Sequence, residues 1–122
     1  MSPRTLARLQ AYGRAVLGGG LILAPGLVAG GWVGAPADRR DGQTLAIGLG
    51  ARDVALAVGT LRALSSRRGV SAWVRAGIAA DAGDLFATLR ARDTLPPLAV
   101  PVVAAAAGGS VLLGLYLQRA LD

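Results

Sequence analysis

Cysteine, histidine, lysine and glutamate do not occur among the 122 residues of this chain. Without cysteine the chain cannot form a disulfide and has no thiol nucleophile. Without histidine it has no imidazole base, and without both residues it has no Cys/His metal site. We therefore expect no metal and no cofactor. Any acid–base chemistry must use aspartate, and every positively charged side chain is an arginine.

Charged and aromatic residues are also scarce. Only 16% of the residues are charged, against about 25% in ordinary soluble domains, while 53% are hydrophobic. The net charge is +6, but the arginines stand in ones and twos between long apolar runs. A nucleic-acid-binding protein gathers its basic residues on one face. We therefore expect no nucleic-acid partner and predict that the chain's partner is the lipid bilayer.

Four apolar segments, separated by short polar breaks, fill the chain. Each has about 20 residues or more, enough for a helix to cross a hydrocarbon core of about 30 Å. The sequence thus predicts one all-α domain over 1–122, an up-down bundle of four transmembrane helices in the cell membrane. A soluble four-helix bundle is the disfavoured alternative, because the first and fourth segments have no polar face. The predicted helices span about 11–34, 45–64, 70–89 and 96–121.

The arginines predict the orientation of the bundle. One side carries eight of them and the other side four, which places both termini in the cytoplasm. The first set is Arg4, Arg8, Arg14, Arg62, Arg67, Arg68, Arg75 and Arg119, and the second is Arg39, Arg40, Arg90 and Arg92. The first segment also resembles a signal peptide ending at Ala35-Pro36-Ala37, but it is longer than usual, so we expect an uncleaved first helix.

Small residues and prolines lie inside the predicted helices. Gly26, Gly30 and Gly34 stand four apart, a spacing that lets helix backbones touch in a membrane. These glycines either pack within the bundle, which we favour, or form the contact of a homodimer. Pro25 and Pro101 are expected to kink their helices, and Pro96 and Pro97 to occupy a first helical turn.

Ionisable residues in the two middle segments are the strongest functional signal. Arg52 and Asp53 lie in the second predicted helix, and Asp81 and Asp84 in the third. Charges at membrane depth cost about 2.5–3.5 kcal/mol each on insertion scales, so they usually face the bundle interior and pair with one another. At 1.5 Å per residue, all four lie about 9–13 Å below the same boundary. The sequence therefore predicts one shared site.

The composition of this site indicates its chemistry. One arginine and three aspartates leave a surplus of two negative charges, so we expect at least one carboxyl to keep its proton. A protonated carboxyl beside an ionised one is an acid/base pair. The alternative is an ion-pair lock that only orders the bundle, although one aspartate would suffice for that. Ser110, in an Ala/Gly run, is interpreted as a packing residue. Further ligand contacts are predicted on the same helix faces, at Thr60, Trp73, Gly77 and Thr88.

Together these residues resemble a known pattern. Gly50-Ala51-Arg52-Asp53, a basic loop, then Trp73, Asp81 and Asp84 resemble a family of small four-helix integral membrane proteins from bacteria and fungi whose function is unknown. The resemblance extends over nearly the whole chain, but its specific part lies in the two middle helices. It implies the four-helix fold and singles out these charged residues and the tryptophan, without supplying a reaction.

Three functions remain open. The first is binding or transformation of a small lipophilic molecule, by epoxide opening or isoprenoid cyclisation, with Asp81 or Asp84 as acid, Asp53 as base and Arg52 as organiser. This chemistry resembles the Asp-Arg-Asp set of limonene-type epoxide hydrolases and the buried carboxyls of membrane terpene cyclases, by analogy alone. The second is a proton-linked transporter or accessory subunit, although Arg52 opposes binding of a cation. The third is a purely structural membrane protein.

Overall fold

The computed structural model describes residues 1–121, and all regular secondary structure in that range is helical, which confirms the predicted all-α class. Asp122, the last residue of the predicted domain, lies outside the described residues. A short 3₁₀ turn at Ala35–Asp38 separates the second and third helices. The helices are α1 (Pro3–Leu23), α2 (Pro25–Val33), α3 (Arg40–Ser66), α4 (Val70–Arg90) and α5 (Ala99–Leu121).

The first predicted segment, 11–34, is two helices rather than one. It begins earlier, at Pro3, because the Ser2 hydroxyl caps the helix by accepting a hydrogen bond from the Thr5 amide at 3.1 Å. It then breaks at Ala24, whose φ of −138° is not helical, and α2 leaves at 109° to α1. Pro25 causes the break, since it has no N–H and its ring crowds the preceding turn. The predicted kink at Pro25 is thus confirmed and is larger than an ordinary kink.

Prolines at the other predicted positions act differently. Pro96 and Pro97 precede α5, which begins only at Ala99, so the prediction that they occupy a first helical turn is wrong by about one turn. The Ala99 amide donates to the Pro96 carbonyl at 2.9 Å in the turn that leads into the helix. Pro101 lies in the first turn of α5, where its missing N–H costs nothing, and the helix continues through it.

The predicted glycine stripe does not run along one helix face. The α2 helix ends at Val33, and Gly34 has a φ of +72°, a left-handed conformation that glycine adopts without strain. A Cβ on Gly26 would lie 3.3 Å from the Ala37 carbonyl, and one on Gly34 would lie 3.3 Å from the Pro96 ring. These two glycines therefore pack within the chain, as we favoured, while the homodimer stays a prediction.

Two close helix pairs make up the bundle: α1 packs along α3, and α4 packs along α5. The first pair meets backbone to backbone, because a Cβ on Gly18 would lie 2.7 Å from the Gly50 carbonyl and one on Gly50 would lie 2.6 Å from the Gly18 carbonyl. Two apolar clusters close opposite ends of α3, one around Ala46 and the other around Leu64. The charged residues lie between these clusters.

The helices differ in their suitability for a membrane. Within residues 1–121, α3 and α5 are long and apolar enough to cross one, and the bent pair α1–α2 makes a third candidate span if it counts as one segment. The α4 helix does not qualify, because Arg75, Asp81, Asp84 and Arg90 interrupt its apolar residues. Two or three candidate spans are thus present, and the predicted four-span arrangement stays a prediction.

Candidate functional site

Five charged side chains form a continuous chain of ion pairs between α1, α3 and α4. The charges alternate in sign, so that each arginine lies between two carboxyls. This arrangement confirms that the two middle predicted helices bring their charges together. It also includes Arg14, which the sequence analysis counts only among the arginines that orient the bundle in the membrane. In spatial order the five are Asp81, Arg14, Asp53, Arg52 and Asp84.

Arg14 connects α1 to both partner helices. Its Nη2 donates to Asp81 Oδ2 at 2.6 Å and its Nη1 to Asp81 Oδ1 at 3.0 Å, the two-pronged geometry that suits a guanidinium. The same Nη1 lies 3.4 Å from Asp53 Oδ1. Gly77 leaves space for this side chain, since a Cβ there would lie 3.3 Å from Nη2. The absence of a side chain at position 77 thus lets α1 and α4 share an arginine.

Arg52 repeats this geometry on the opposite side of Asp53. Its Nη1 and Nη2 donate to the two carboxylate oxygens of Asp84 at 2.9 and 2.7 Å. Its Nε and Nη2 also donate to Asp53 Oδ1, at 3.2 and 3.0 Å. Asp53 Oδ1 therefore accepts hydrogen bonds from both arginines. This carboxylate oxygen is the junction of the cluster.

The second arginine changes the charge count of the site. Three aspartates and two arginines leave a surplus of one negative charge when all are ionised, rather than the surplus of two expected from Arg52 alone. Moving Arg14 from the flanking arginines to the site also leaves seven arginines against four in the orientation count. The side with more arginines is still the side that carries both termini, so the cytoplasmic location of the termini stays a prediction.

The three carboxyls differ in exposure. The Asp53 side chain is 3% exposed, that of Asp81 is 10% and that of Asp84 is 19%. Burial of a charge is tolerated where it is paired and hydrogen-bonded, which explains why both arginines converge on Asp53. The carboxyls of α4 lie nearer the surface of the bundle.

Ser110 is a polar partner of the cluster and not only a packing residue, so its interpretation from the sequence was wrong. Gln10 Nε2 donates to Ser110 Oγ at 2.8 Å and to the Ser110 carbonyl at 3.2 Å. Because the amide is the donor there, the Ser110 hydroxyl donates to Asp81 Oδ2 at 2.6 Å. Asp81 thus accepts from α1 and α5 at once. Spacing could have revealed this role, since Ala107, Ser110, Gly114 and Leu117 follow the three-to-four periodicity of one helix face.

A cavity of about 510 Å³ adjoins the cluster, between the α1–α2 pair and the α4–α5 pair. This volume lies within the range of about 300–1,000 Å³ typical of small-molecule sites. Its walls are mostly apolar, with carboxyl, guanidinium, hydroxyl and indole groups on one side. The polar lining residues are Gln10, Arg14, Trp32, Asp81, Asp84 and Ser110, and the apolar ones include Leu17, Leu21, Val28, Val102 and Val103.

Trp32 closes one side of this cavity and is held there by Thr88. The indole Nε1 donates to Thr88 Oγ1 at 2.9 Å, and the Thr88 hydroxyl donates in turn to the Asp84 carbonyl at 2.7 Å. Thr88 is buried. The structure therefore places this predicted ligand residue behind the cavity wall, where it positions the tryptophan.

The other predicted ligand residues lie apart from the large cavity. Thr60, Trp73 and Gly77 line a small cleft of about 20 Å³ on another side of Arg14, which is enough for one water molecule. The Trp73 ring packs over Gly59, which leaves no room for a Cβ. Thr60 and Trp73 thus contribute to helix packing and to this cleft, while Asp81 and Asp84 face the larger space.

Within residues 1–121, no group of three or more aspartates is arranged to hold a metal ion. The residues that line the cavity offer proton transfer by carboxyls, hydrogen bonding by Ser110 and Arg14, and apolar contact. Comparison with protein-family models, curated proteins and solved structures finds no match to this chain. The resemblance to the four-helix membrane family stays a prediction, and the site is defined by its geometry.

Proposed function

We propose that this chain is an integral membrane protein whose four helical segments cross the bilayer and enclose a binding site for a small lipophilic molecule. The candidate spans α3, α5 and the α1–α2 pair support membrane insertion. The α4 helix, although too polar by composition, pairs Asp81 and Asp84 with arginines of its neighbours. Pairing of this kind makes an ionisable residue tolerable at membrane depth.

The observation that carries the proposal is the 510 Å³ cavity, because apolar side chains and two carboxyls share its wall. An apolar ligand body fits the surfaces of Leu17, Leu21 and Val103. One polar ligand atom would meet Asp81, Asp84 or Ser110. Small-molecule sites typically combine a largely apolar wall with a few polar groups that fix orientation.

The chemistry that suits this wall is acid–base opening of a lipophilic epoxide. In the proposed step Asp84 carries one proton, in place of one of its hydrogen bonds from Arg52, and donates it to the epoxide oxygen as one C–O bond breaks. A water molecule attacks the released carbon and gives its proton to Asp81, so that epoxide and water become a diol. Proton exchange between the two carboxyls then restores the starting state. Asp53 is not part of this acid/base pair. Its carboxylate accepts hydrogen bonds from Arg14 and Arg52 and holds the two arginines in position.

The test uses the protein purified in detergent with limonene oxide, a lipophilic epoxide, and measures diol formation. We expect faster diol formation than in detergent alone, and a fall of about 100-fold or more in Asp84→Asn, the usual range for loss of a general acid. Asp41→Asn, at an exposed position, is the matched control and should keep the rate. Equal rates in wild type and Asp84→Asn would contradict the acid–base step.

Binding is tested separately with limonene, which has no epoxide. In a Trp73→Phe background, Trp32 is the single tryptophan and lies in the cavity wall. We expect limonene to shift its emission. A shift without diol formation would retain the binding site and discard the catalytic step, whereas the absence of both would contradict the proposed function.

One observation favours a second candidate, a proton-linked carrier. The cluster has one negative charge more than its arginines balance, and this charge is available to bind either a proton or a cationic solute. Uptake of a lipophilic cation into vesicles, driven by a pH gradient and lost in Asp84→Asn, would favour the carrier over the enzyme. No gradient dependence would exclude it.

A further inference from the structure

A second groove runs along α3, between α1 and the start of α4. The groove has a volume of about 670 Å³, and none of its lining residues lines the 510 Å³ cavity. Its floor is a row of small and branched residues of α3. The lining residues used below are Ile22, Ala51, Val58, Arg62, Arg68 and Trp73.

The groove has one apolar end and one basic end. Ile22 and Ala51 lie at the apolar end, and Arg62 and Arg68 at the other. Both arginines are exposed, and neither forms a salt bridge with a partner among residues 1–121. Ser66 also lines the groove. The basic end thus offers two unmatched guanidinium groups, which suit a phosphate because they donate in a planar fork.

The length of the groove matches one leaflet of a bilayer. Arg62 and Ala51 are eleven positions apart on one helix, which is about 16 Å at 1.5 Å per residue. Half of a hydrocarbon core is about 15 Å. A phosphate bound at the arginines would therefore leave an acyl chain lying along Val58 and Ala51, ending near the bilayer centre.

Trp73 stands beside the basic end. It is 39% exposed despite its contact with Gly59, and tryptophan is enriched at the level of lipid headgroups. Trp73 therefore lies at the membrane depth at which Arg62 and Arg68 would hold the headgroup phosphate.

From this geometry we infer that the groove binds one anionic phospholipid, with the headgroup phosphate on Arg62 and Arg68 and one acyl chain along α3. The inference rests on the proposed membrane insertion but not on the proposed ligand of the other cavity. The arginines lie on the side predicted to face the cytoplasm, where the leaflet is rich in anionic lipid.

The experiment uses the Trp32→Phe variant, in which Trp73 is the single tryptophan, reconstituted in phosphatidylcholine vesicles with a minor fraction of phosphatidylglycerol. Brominated chains, which quench tryptophan on contact, are placed on one lipid or the other. We expect brominated phosphatidylglycerol to quench Trp73 well beyond its share of the lipid. Quenching by both lipids in proportion to their amounts would overturn the inference while leaving membrane insertion intact, and quenching by neither would contradict insertion itself.

Charge variants locate the headgroup. Arg62→Gln and Arg68→Gln should each weaken the preference for phosphatidylglycerol by about five-fold, the usual contribution of one basic residue near an anionic surface. The matched control is the double variant Arg90→Gln with Arg92→Gln, at exposed arginines at and just beyond the C-terminal end of α4, and it should preserve the preference. An equal loss in the control pair would reduce the effect to net charge and overturn the assigned site. Mass spectra of the wild-type protein released from detergent, with retained phosphatidylglycerol counted, check the result without a tryptophan substitution.

Discussion

The two sides of α1 differ in how they meet their neighbours, although one arginine contacts both. On the α3 side, Gly18 and Gly50 bring the backbones together and Asp53 is 3% exposed. On the α5 side, the two helices meet through the hydrogen bond from Gln10 to Ser110 and line a 510 Å³ cavity, with Asp81 in its wall. The same chain of ion pairs thus runs from the close α1–α3 interface to the wall of the cavity. The difference indicates that Asp53, at the centre of the ion-pair chain on α3, holds the bundle together, while Asp81 and Asp84, the α4 carboxyls at its two ends, are available to a ligand.

The largest effect is expected from removing the residue that joins the two sides. Arg14→Leu leaves Asp81 without its two-pronged partner and Asp53 with Arg52 alone. Loss of one partner of a buried ion pair typically costs about 3–5 kcal/mol, and we expect a comparable fall in the free energy of unfolding in detergent. It is measured by denaturant titration followed by helical circular dichroism.

The control for this variant is the exposed pair Arg39–Asp41, whose side chains are 72% and 66% exposed. Arg39→Leu should change stability by no more than about 1 kcal/mol, since exposed ion pairs contribute little. Similar losses in both variants would remove the distinction between the buried cluster and a surface pair.

A smaller loss is expected from separating the packed side alone. In Gly50→Ala the new Cβ would lie 2.6 Å from the Gly18 carbonyl, so α1 and α3 must move apart. Overpacking of this kind costs about 1–3 kcal/mol, visible as a lower Tm. Gly48→Ala is the matched control on the same helix, because nothing lies within 4 Å of its Cβ. If Gly48→Ala lowers Tm as much as Gly50→Ala, close approach does not set the strength of this interface.

The smallest effect concerns the open side. Thr88→Val removes the hydroxyl that holds Trp32, at a cost of about 1 kcal/mol for an indole N–H left without its partner. In a Trp73→Phe background we expect the Trp32 emission to change and its quenching by acrylamide to rise. Thr94→Val, where the hydroxyl is exposed and bonds only to Ala91, should leave both unchanged. An unaltered emission in Thr88→Val would show that this hydrogen bond does not fix the cavity wall.

Depth and periodicity predicted part of this site from the sequence. Counting along two helices placed Arg52 level with Asp53 and Asp84, and the structure joins them. Arg14 was missed because it stands near the chain terminus and was counted with the flanking arginines. Its own helix carries the signal, since Ala7, Ala11, Gly18 and Leu21 are buried and Arg14 continues their three-to-four spacing.

Other features depend on tertiary contacts that no local pattern contains. The 109° turn at Pro25 brings the Trp32 side chain of α2 to Thr88 of α4, whereas the sequence predicted a kinked but single span. The role of Ser110 depends on Gln10, a residue one hundred positions away in the chain. The cavity is lined by four helices, α1, α2, α4 and α5, so it is a property of the whole bundle.

The most direct test of this division compares Asp53→Asn, at the centre of the cluster, with Asp84→Asn, at one of its ends. Tm and the shift of Trp32 emission on mixing with limonene oxide are measured for both variants, in the Trp73→Phe background. We predict that Asp53→Asn lowers Tm by much more than Asp84→Asn, and that Asp84→Asn weakens the limonene oxide response while the protein stays folded, because the epoxide oxygen loses the carboxyl that it meets. The reverse pattern, with Asp84→Asn more destabilising and its limonene oxide response unchanged, would contradict the account.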